Sequence, residues 1–114
     1  MVDYKEYTVV FKALSDETRL KIVEMLSCNE MCACDILDYF QISQSTLSYH
    51  MKILTECNLI CSRKDGSWVK YSLNNQVAKK IKIFWEDLTS GKDDCICNEV
   101  INKNKCNYFT NKCK

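Results

Sequence analysis

The sequence predicts a mainly α fold carrying one β-hairpin (α+β). Three observations predict it. Apolar residues recur at helical spacing over five stretches. The period switches to two around a single Asp65-Gly66 pair. Proline is absent and glycine occurs only at Gly66 and Gly91, so the stretches are punctuated by caps and breaks and not by helix breakers inside them.

The first stretch sets Tyr4, Tyr7, Phe11 and Leu14 on one helical face. The second, "LSDETRLKIVEMLS", offers Ser15 or Asp16 as a cap with Glu17 in the first turn, and a stripe of Leu20, Val23 and Leu26 widened by Ile22. "CACDILDYF", residues 32–40, is a shorter helical stretch through Ile36, Leu37 and Phe40. After the break "QIS", Ser43 caps "QSTLSYHMKILTEC", which buries Leu47, Met51 and Leu54. Two strands then flank Asp65-Gly66, with Val69, Tyr71 and Leu73 sharing a face. Asn74 caps a last long helix with Val77, Ile81, Phe84 and Leu88 in line, ended by Gly91. Residues 1–90 therefore form one domain. Residues 91–114, rich in Cys, Lys and Asn, form a tail with one helical turn in "NEVINK".

Length and charge bound the function. The 114 residues suffice for one compact domain, and no apolar run reaches the roughly 18 residues a membrane-spanning helix needs. The N-terminus has no basic-then-apolar export pattern, so a cytoplasmic protein is expected. Net charge is +1, so any nucleic-acid surface must come from local placement of charge. Nine cysteines, an odd number in a reducing compartment, argue for metal or thiol chemistry over a disulfide framework.

The short helix, tight break and capped polar helix across residues 32–57 read as a helix-turn-helix, and the following hairpin makes it a winged variant. In such modules the second helix enters the major groove of double-stranded DNA. Its exposed face offers Gln44, Ser45, Thr46, Ser48, Tyr49 and His50 as hydrogen-bonding groups, where helix propensity alone would favour Ala, Glu or Lys. Lys52, Arg63, Lys64 and Lys70 are placed for phosphates. His50 stands alone as the one histidine, which argues for a DNA contact or surface position over a metal site. The terminal helices carry more apolar surface than a monomer needs, so Tyr4, Tyr7 and Phe11 with Ile81, Phe84 and Trp85 are expected to form a homodimer interface. Packing of those same residues within one chain is the competing reading.

Four segments, "FKALSDETRLKIVEML", "EMCACDIL", "QSTLSYHMKIL" and "RKDGSWVKYSL", together resemble the ArsR/SmtB family of metalloregulatory repressors over residues 7–90. The resemblance implies a homodimeric winged helix-turn-helix that holds operator DNA when metal-free and releases it when an ion binds. The Cys32-x-Cys34 pair is similar to the site of the family's arsenic and antimony sensors, which implies arsenite, antimonite or methylarsenite as inducer. The best-known arsenic sensors add a third cysteine three residues on, where this chain has Leu37.

Trivalent arsenic and antimony are soft and take thiolates. On an ideal helix Cys32 and Cys34 would stand about 200° apart, so both reach one atom only if the first lies outside the helix or the first turn unwinds. Cys28, Cys95 and Cys97 are the further ligands weighed, and an external thiol or a methyl group on arsenic would also complete the set. Cys57 and Cys61 are expected in the core, while Cys106 and Cys113 sit in the tail. A thiol-based oxidant sensor and a cadmium or lead sensor of the same fold are the alternatives. The spacing Cys57-x5-Arg63 matches an arsenate-reductase or phosphatase loop, but the segment lacks glycine and runs from helix into strand, which argues against an enzyme.

Overall fold

The computed structural model describes residues 3–91 and 96–104. Its elements are α1 (Tyr4–Ala13), α2 (Glu17–Cys28), β1 (Met31–Cys32), α3 (Ala33–Tyr39), α4 (Gln44–Glu56), β2 (Ile60–Asp65), β3 (Trp68–Leu73), α5 (Asn75–Leu88) and α6 (Cys97–Asn104). The backbone clusters into two units, residues 1–81 and 82–114. The first holds the helix-turn-helix and the hairpin. The second holds the end of α5 and α6.

Caps set the helix starts. The Asp16 carboxylate accepts the Arg19 backbone N–H at 3.0 Å and opens α2. That hydrogen bond is the main reason its carboxyl sits below the ordinary carboxylate range, with burial opposing it and the Arg19 charge adding to it. The Ser43 hydroxyl accepts from the Thr46 backbone N–H at 3.1 Å and opens α4 one residue after the turn. Losing this cap in Ser43→Ala should cost about 1 kcal/mol, read as a lower thermal midpoint. Asn74 opens α5 by accepting from the backbone of Gln76 and Val77. Its amide also donates to the Asn58 carbonyl at 2.9 Å, tying the end of the hairpin to the turn after α4.

The hairpin turn is Gly66-Ser67, not Asp65-Gly66, because Asp65 pairs with Trp68 and so belongs to the strand. Gly66 takes φ +65°, the left-handed value that the first residue of a two-residue hairpin turn uses without steric cost. The sheet has a third strand that the sequence pattern did not show. Met31 and Cys32 pair antiparallel with Tyr71 and Lys70, giving the order β1-β3-β2.

The core of the first unit joins Val10 and Ala13 of α1, Ile22 and Leu26 of α2, Ile36 of α3, and Leu47, Met51 and Leu54 of α4, with Leu59 and Ile60 closing the base of the hairpin. Two expectations are corrected here. Ile22 and Leu26 are buried and Val23 packs against the core, whereas Leu20 is exposed, so the inner face of α2 runs through Arg19, Ile22 and Leu26, turned by less than about a quarter of a turn from the reading of Leu20, Val23 and Leu26. Cys61 is exposed on β2, because it alternates out from Ile60, while Cys57 does pack on the core.

Candidate nucleic-acid interface and thiol site

Helix α4 buries Leu47, Met51 and Leu54, which leaves Gln44, Ser45, Thr46, Ser48, Tyr49 and Lys52 exposed on its other sides. The first four cluster at the N-terminal turn, where the Ser43 hydroxyl also lies 3.1 Å from that of Ser45 and donates to that of Thr46 at 2.9 Å. Such a surface presents donors and acceptors to base edges and phosphates. Lys64 is exposed on β2.

His50 departs from the expectation. It is 9 % exposed, on the inner side of α4, and its Nδ1 accepts from Arg19 Nη1 at 3.0 Å. Arg19 is buried to the same degree and also donates from Nε to the Ala13 carbonyl at 2.6 Å. The Asp16 carboxylate lies 3.9 Å from His50 Nδ1. The histidine thus ties the recognition helix to the α1–α2 junction and is not part of the exposed face. Sequence reasoning passed over Arg19. The available signal was an arginine one turn before Ile22 on the same side of α2, facing the lone histidine of α4.

Arg63 and Lys70, expected to meet phosphates, have protein partners. Arg63 grips the Glu30 carboxylate through Nε at 2.8 Å and Nη2 at 2.7 Å, and Lys70 lies 3.3 Å from Asp65. The Arg63 hydrogen bond holds the Glu30 carboxyl below the ordinary range, with a smaller opposing contribution from desolvation. A carboxylate depressed in the folded state adds stability above its unfolded value and loses it as the pH falls through the folded one. The clamp between the β1 segment and the hairpin should therefore loosen on acidification below the usual value of 4.5. Amide exchange at Met31 and Cys32 should quicken there, and Glu30→Gln should remove that pH step.

The two thiols meet. Cys32 is the N-cap of α3 with extended backbone, φ −81° and ψ 159°, so it lies outside the helix, and Cys34 follows in the first turn. This resolves the conflict that an unbroken helix would pose. Their Cα atoms are 5.4 Å apart and their sulfurs are paired as a disulfide. The Asp35 carboxylate joins them, each ligand atom lying within 4.8 Å of the others. Cys32 is also half of β1, opposite Lys70 on β3, so the site is stitched to the hairpin. Cys28 is not brought into this cluster. It ends α2, exposed, with its sulfur 3.9 Å from the Glu24 carbonyl. Cys97 is exposed at the start of α6 in the second unit, and Cys95, Cys106 and Cys113 lie outside the described residues.

Of the expected interface residues, Tyr4 and Trp85 are exposed, Tyr7, Phe11 and Ile81 are half-buried, and Phe84 is buried. Helix α1 turns Val10 and Ala13 inward, which leaves its aromatic face outside the core. Lys80 forms an ion pair with Glu6 and stands 5.9 Å above the Tyr7 ring, holding α1 to the start of α5. Among the described residues no helix is long and apolar enough to cross a membrane.

Comparison with known proteins agrees with this arrangement. The model of the family described as bacterial regulatory protein, arsR family, matches residues 16–62, from the α2 cap to mid β2. An arsenical resistance operon repressor of Staphylococcus aureus is 42 % identical over 99 residues, 87 % of this chain and 95 % of that protein. Among solved structures, HlyU from Vibrio cholerae is similar at a TM-score of 0.63 and 31 % identity, over 76 % of this chain and 95 % of that one. An ArsR-like transcriptional regulator from Rhodococcus is similar at a TM-score of 0.71 and 26 % identity, over 89 % of this chain and 94 % of that one. The chain therefore belongs to the arsR family of bacterial regulatory proteins and is a winged helix-turn-helix, DNA-binding transcriptional repressor, not an enzyme.

Proposed function

We propose that the chain acts in the cytoplasm as a homodimer that holds operator DNA and releases it when trivalent arsenic or antimony is ligated by Cys32 and Cys34. The observation that carries this reading is the meeting of the two sulfurs at the N-terminus of α3, with one of them in a strand of the wing sheet. Soft ions select thiolates, and the start of a helix favours the thiolate form. Ligation re-orders the β1–α3 junction. Because β1 pairs with β3, and Glu30 just before it holds Arg63 on β2, the wing and the first helix of the helix-turn-helix shift together. The recognition helix then loses its fit to two successive half-sites. Gln44, Ser45, Thr46, Ser48 and Tyr49 read the groove, while Lys52 and Lys64 meet phosphates. Arg63 and Lys70 do so on leaving their acidic partners. The dimer forms through the aromatic face of α1 and the apolar face of α5.

The test is fluorescence anisotropy of the fully reduced protein on its own promoter DNA, titrated with arsenite, antimonite, cadmium and zinc. Release by arsenite or antimonite at concentrations where zinc is silent supports the reading, and indifference to both sinks it. The pairing of the two sulfurs favours a second reading, in which an oxidant such as peroxide converts the dithiol to the disulfide and is itself reduced to water. Release by peroxide, reversed by a reductant and unmatched by arsenite, would select it.

A further inference from the structure

Beside Cys34 the first unit has a groove of about 380 Å³. Its apolar walls are Leu37 of α3, Leu47 and Met51 of α4, and Trp68 and Val69 of the hairpin, and Gln44, Ser48 and Ser67 add polar groups to the lining. Leu47 and Met51 are buried core residues, while Trp68 is exposed along one wall. The lining is mainly apolar, and it is larger than the roughly 150 Å³ that suffices for a benzene ring in an apolar cavity.

The inference rests on thiol ligation as proposed above. Trivalent arsenic makes three bonds. Cys32 and Cys34 supply two, and among the described residues no third sulfur joins their cluster, whose other member is the hard carboxylate of Asp35. In arsenite the third position keeps an oxygen that prefers water. In a trivalent organoarsenical it keeps a carbon group that prefers an apolar wall, and such a wall begins at Cys34. We propose that this groove receives the organic substituent of a trivalent organoarsenical whose arsenic is held by the thiolates of Cys32 and Cys34, so that the preferred ligand class is R–As(III), with R an alkyl or aryl group.

The exchange balances without electron transfer. R–As(OH)2 and two thiols give R–As(S)2 and two waters: two As–O bonds break, two As–S bonds form, and each thiol proton leaves on a departing hydroxide. Arsenic stays trivalent, and the dithiol form is required at the start. The substituent would lie between α3, α4 and the hairpin, the three elements whose mutual placement sets the recognition helix against the wing. Selectivity for R and loss of DNA affinity then arise in one contact.

The experiment uses the full chain, reduced with a phosphine that does not chelate arsenic, on its promoter DNA. Arsenite, methylarsonous acid and phenylarsonous acid are titrated in turn, and each variant is first checked for its melting curve and its DNA affinity without inducer. The half-release concentration should fall from arsenite to methyl to phenyl, with phenyl at least about tenfold below arsenite as its ring leaves water. Val69→Phe fills the groove from the strand, and Ser67→Phe fills it from the exposed turn, where the core is untouched. Either should raise the phenyl value by about tenfold while the methyl value moves far less, so the phenyl-to-methyl ratio is the readout. An unchanged ratio in whichever variants fold, or arsenite acting at or below the organic species, overturns the groove while leaving thiol ligation standing. Failure of all three compounds on the wild-type protein overturns thiol ligation itself.

Discussion

Arg19→Met should destabilise the fold by about 3 kcal/mol, because two buried acceptors lose their donor at once and each orphaned group costs roughly 1–3 kcal/mol. The acceptors are the Ala13 carbonyl and Nδ1 of His50, met by Nε at 2.6 Å and Nη1 at 3.0 Å. The guanidinium donates to both from one rigid plane, which fixes His50 as the acceptor at Nδ1 with its proton on the other nitrogen. Lysine carries the same charge on a single flexible nitrogen and cannot make this fork, so Arg19→Lys should recover only part of the loss. For a domain of this size the thermal midpoint should drop by more than about 10 °C. DNA affinity should fall well below that midpoint too, since His50 sits on α4, directly behind the exposed recognition face. The decisive measurement is a double-mutant cycle by thermal or denaturant unfolding. Adding His50→Leu to Arg19→Met removes the orphaned ring and should restore about 1 kcal/mol or more. Strictly additive losses would mean that the network does not act as a unit.

That network also marks where sequence reading stops. The starts of α4 and α5 were legible because each is written in one local residue, Ser43 or Asn74, whose side chain caps the backbone beside it. The hairpin was legible because alternation and a glycine are local signals, and even there the turn slid by one residue, since only the strand register decides whether Asp65 belongs to turn or strand. Angular geometry required either a first turn that unwinds or a first cysteine that lies outside the helix, and the structure has Cys32 as an extended cap ahead of it. What failed was every feature decided by a distant partner. His50 read as exposed because its partner Arg19 is 31 residues away, and a polar residue on a polar helix gives no hint of burial. Arg63 read as a free cation because Glu30 is 33 residues away. Strand β1 has two residues, too few to show any period, and exists because β3 offers it an edge.

Cys34→Ser should abolish the inducer response while the repressor still binds DNA. Saturating inducer should weaken the wild-type complex by roughly 5- to 150-fold, the usual span of allosteric coupling, and the variant's affinity should stay flat across the same titration. The hydroxyl matches the thiol in shape but is a hard, protonated oxygen, and a soft ion gains little from it. With Cys34 at the first turn of α3 and Cys32 at its cap, losing either leaves one protein sulfur, which cannot bridge strand to helix. Cys32→Ser should therefore be as silent as Cys34→Ser, although one residue belongs to the strand and the other to the helix. Cys28→Ser is the contrasting control. Its sulfur rests near the Glu24 carbonyl at the end of α2, outside the ligand cluster, so its response should stay close to wild type. A strong loss in Cys28→Ser would instead make it the third ligand and require the end of α2 to move toward α3 on binding. A response that survives in both Cys32→Ser and Cys34→Ser would remove the thiol pair from the mechanism, because no rearrangement of the β1–α3 junction could then be driven by bridging it.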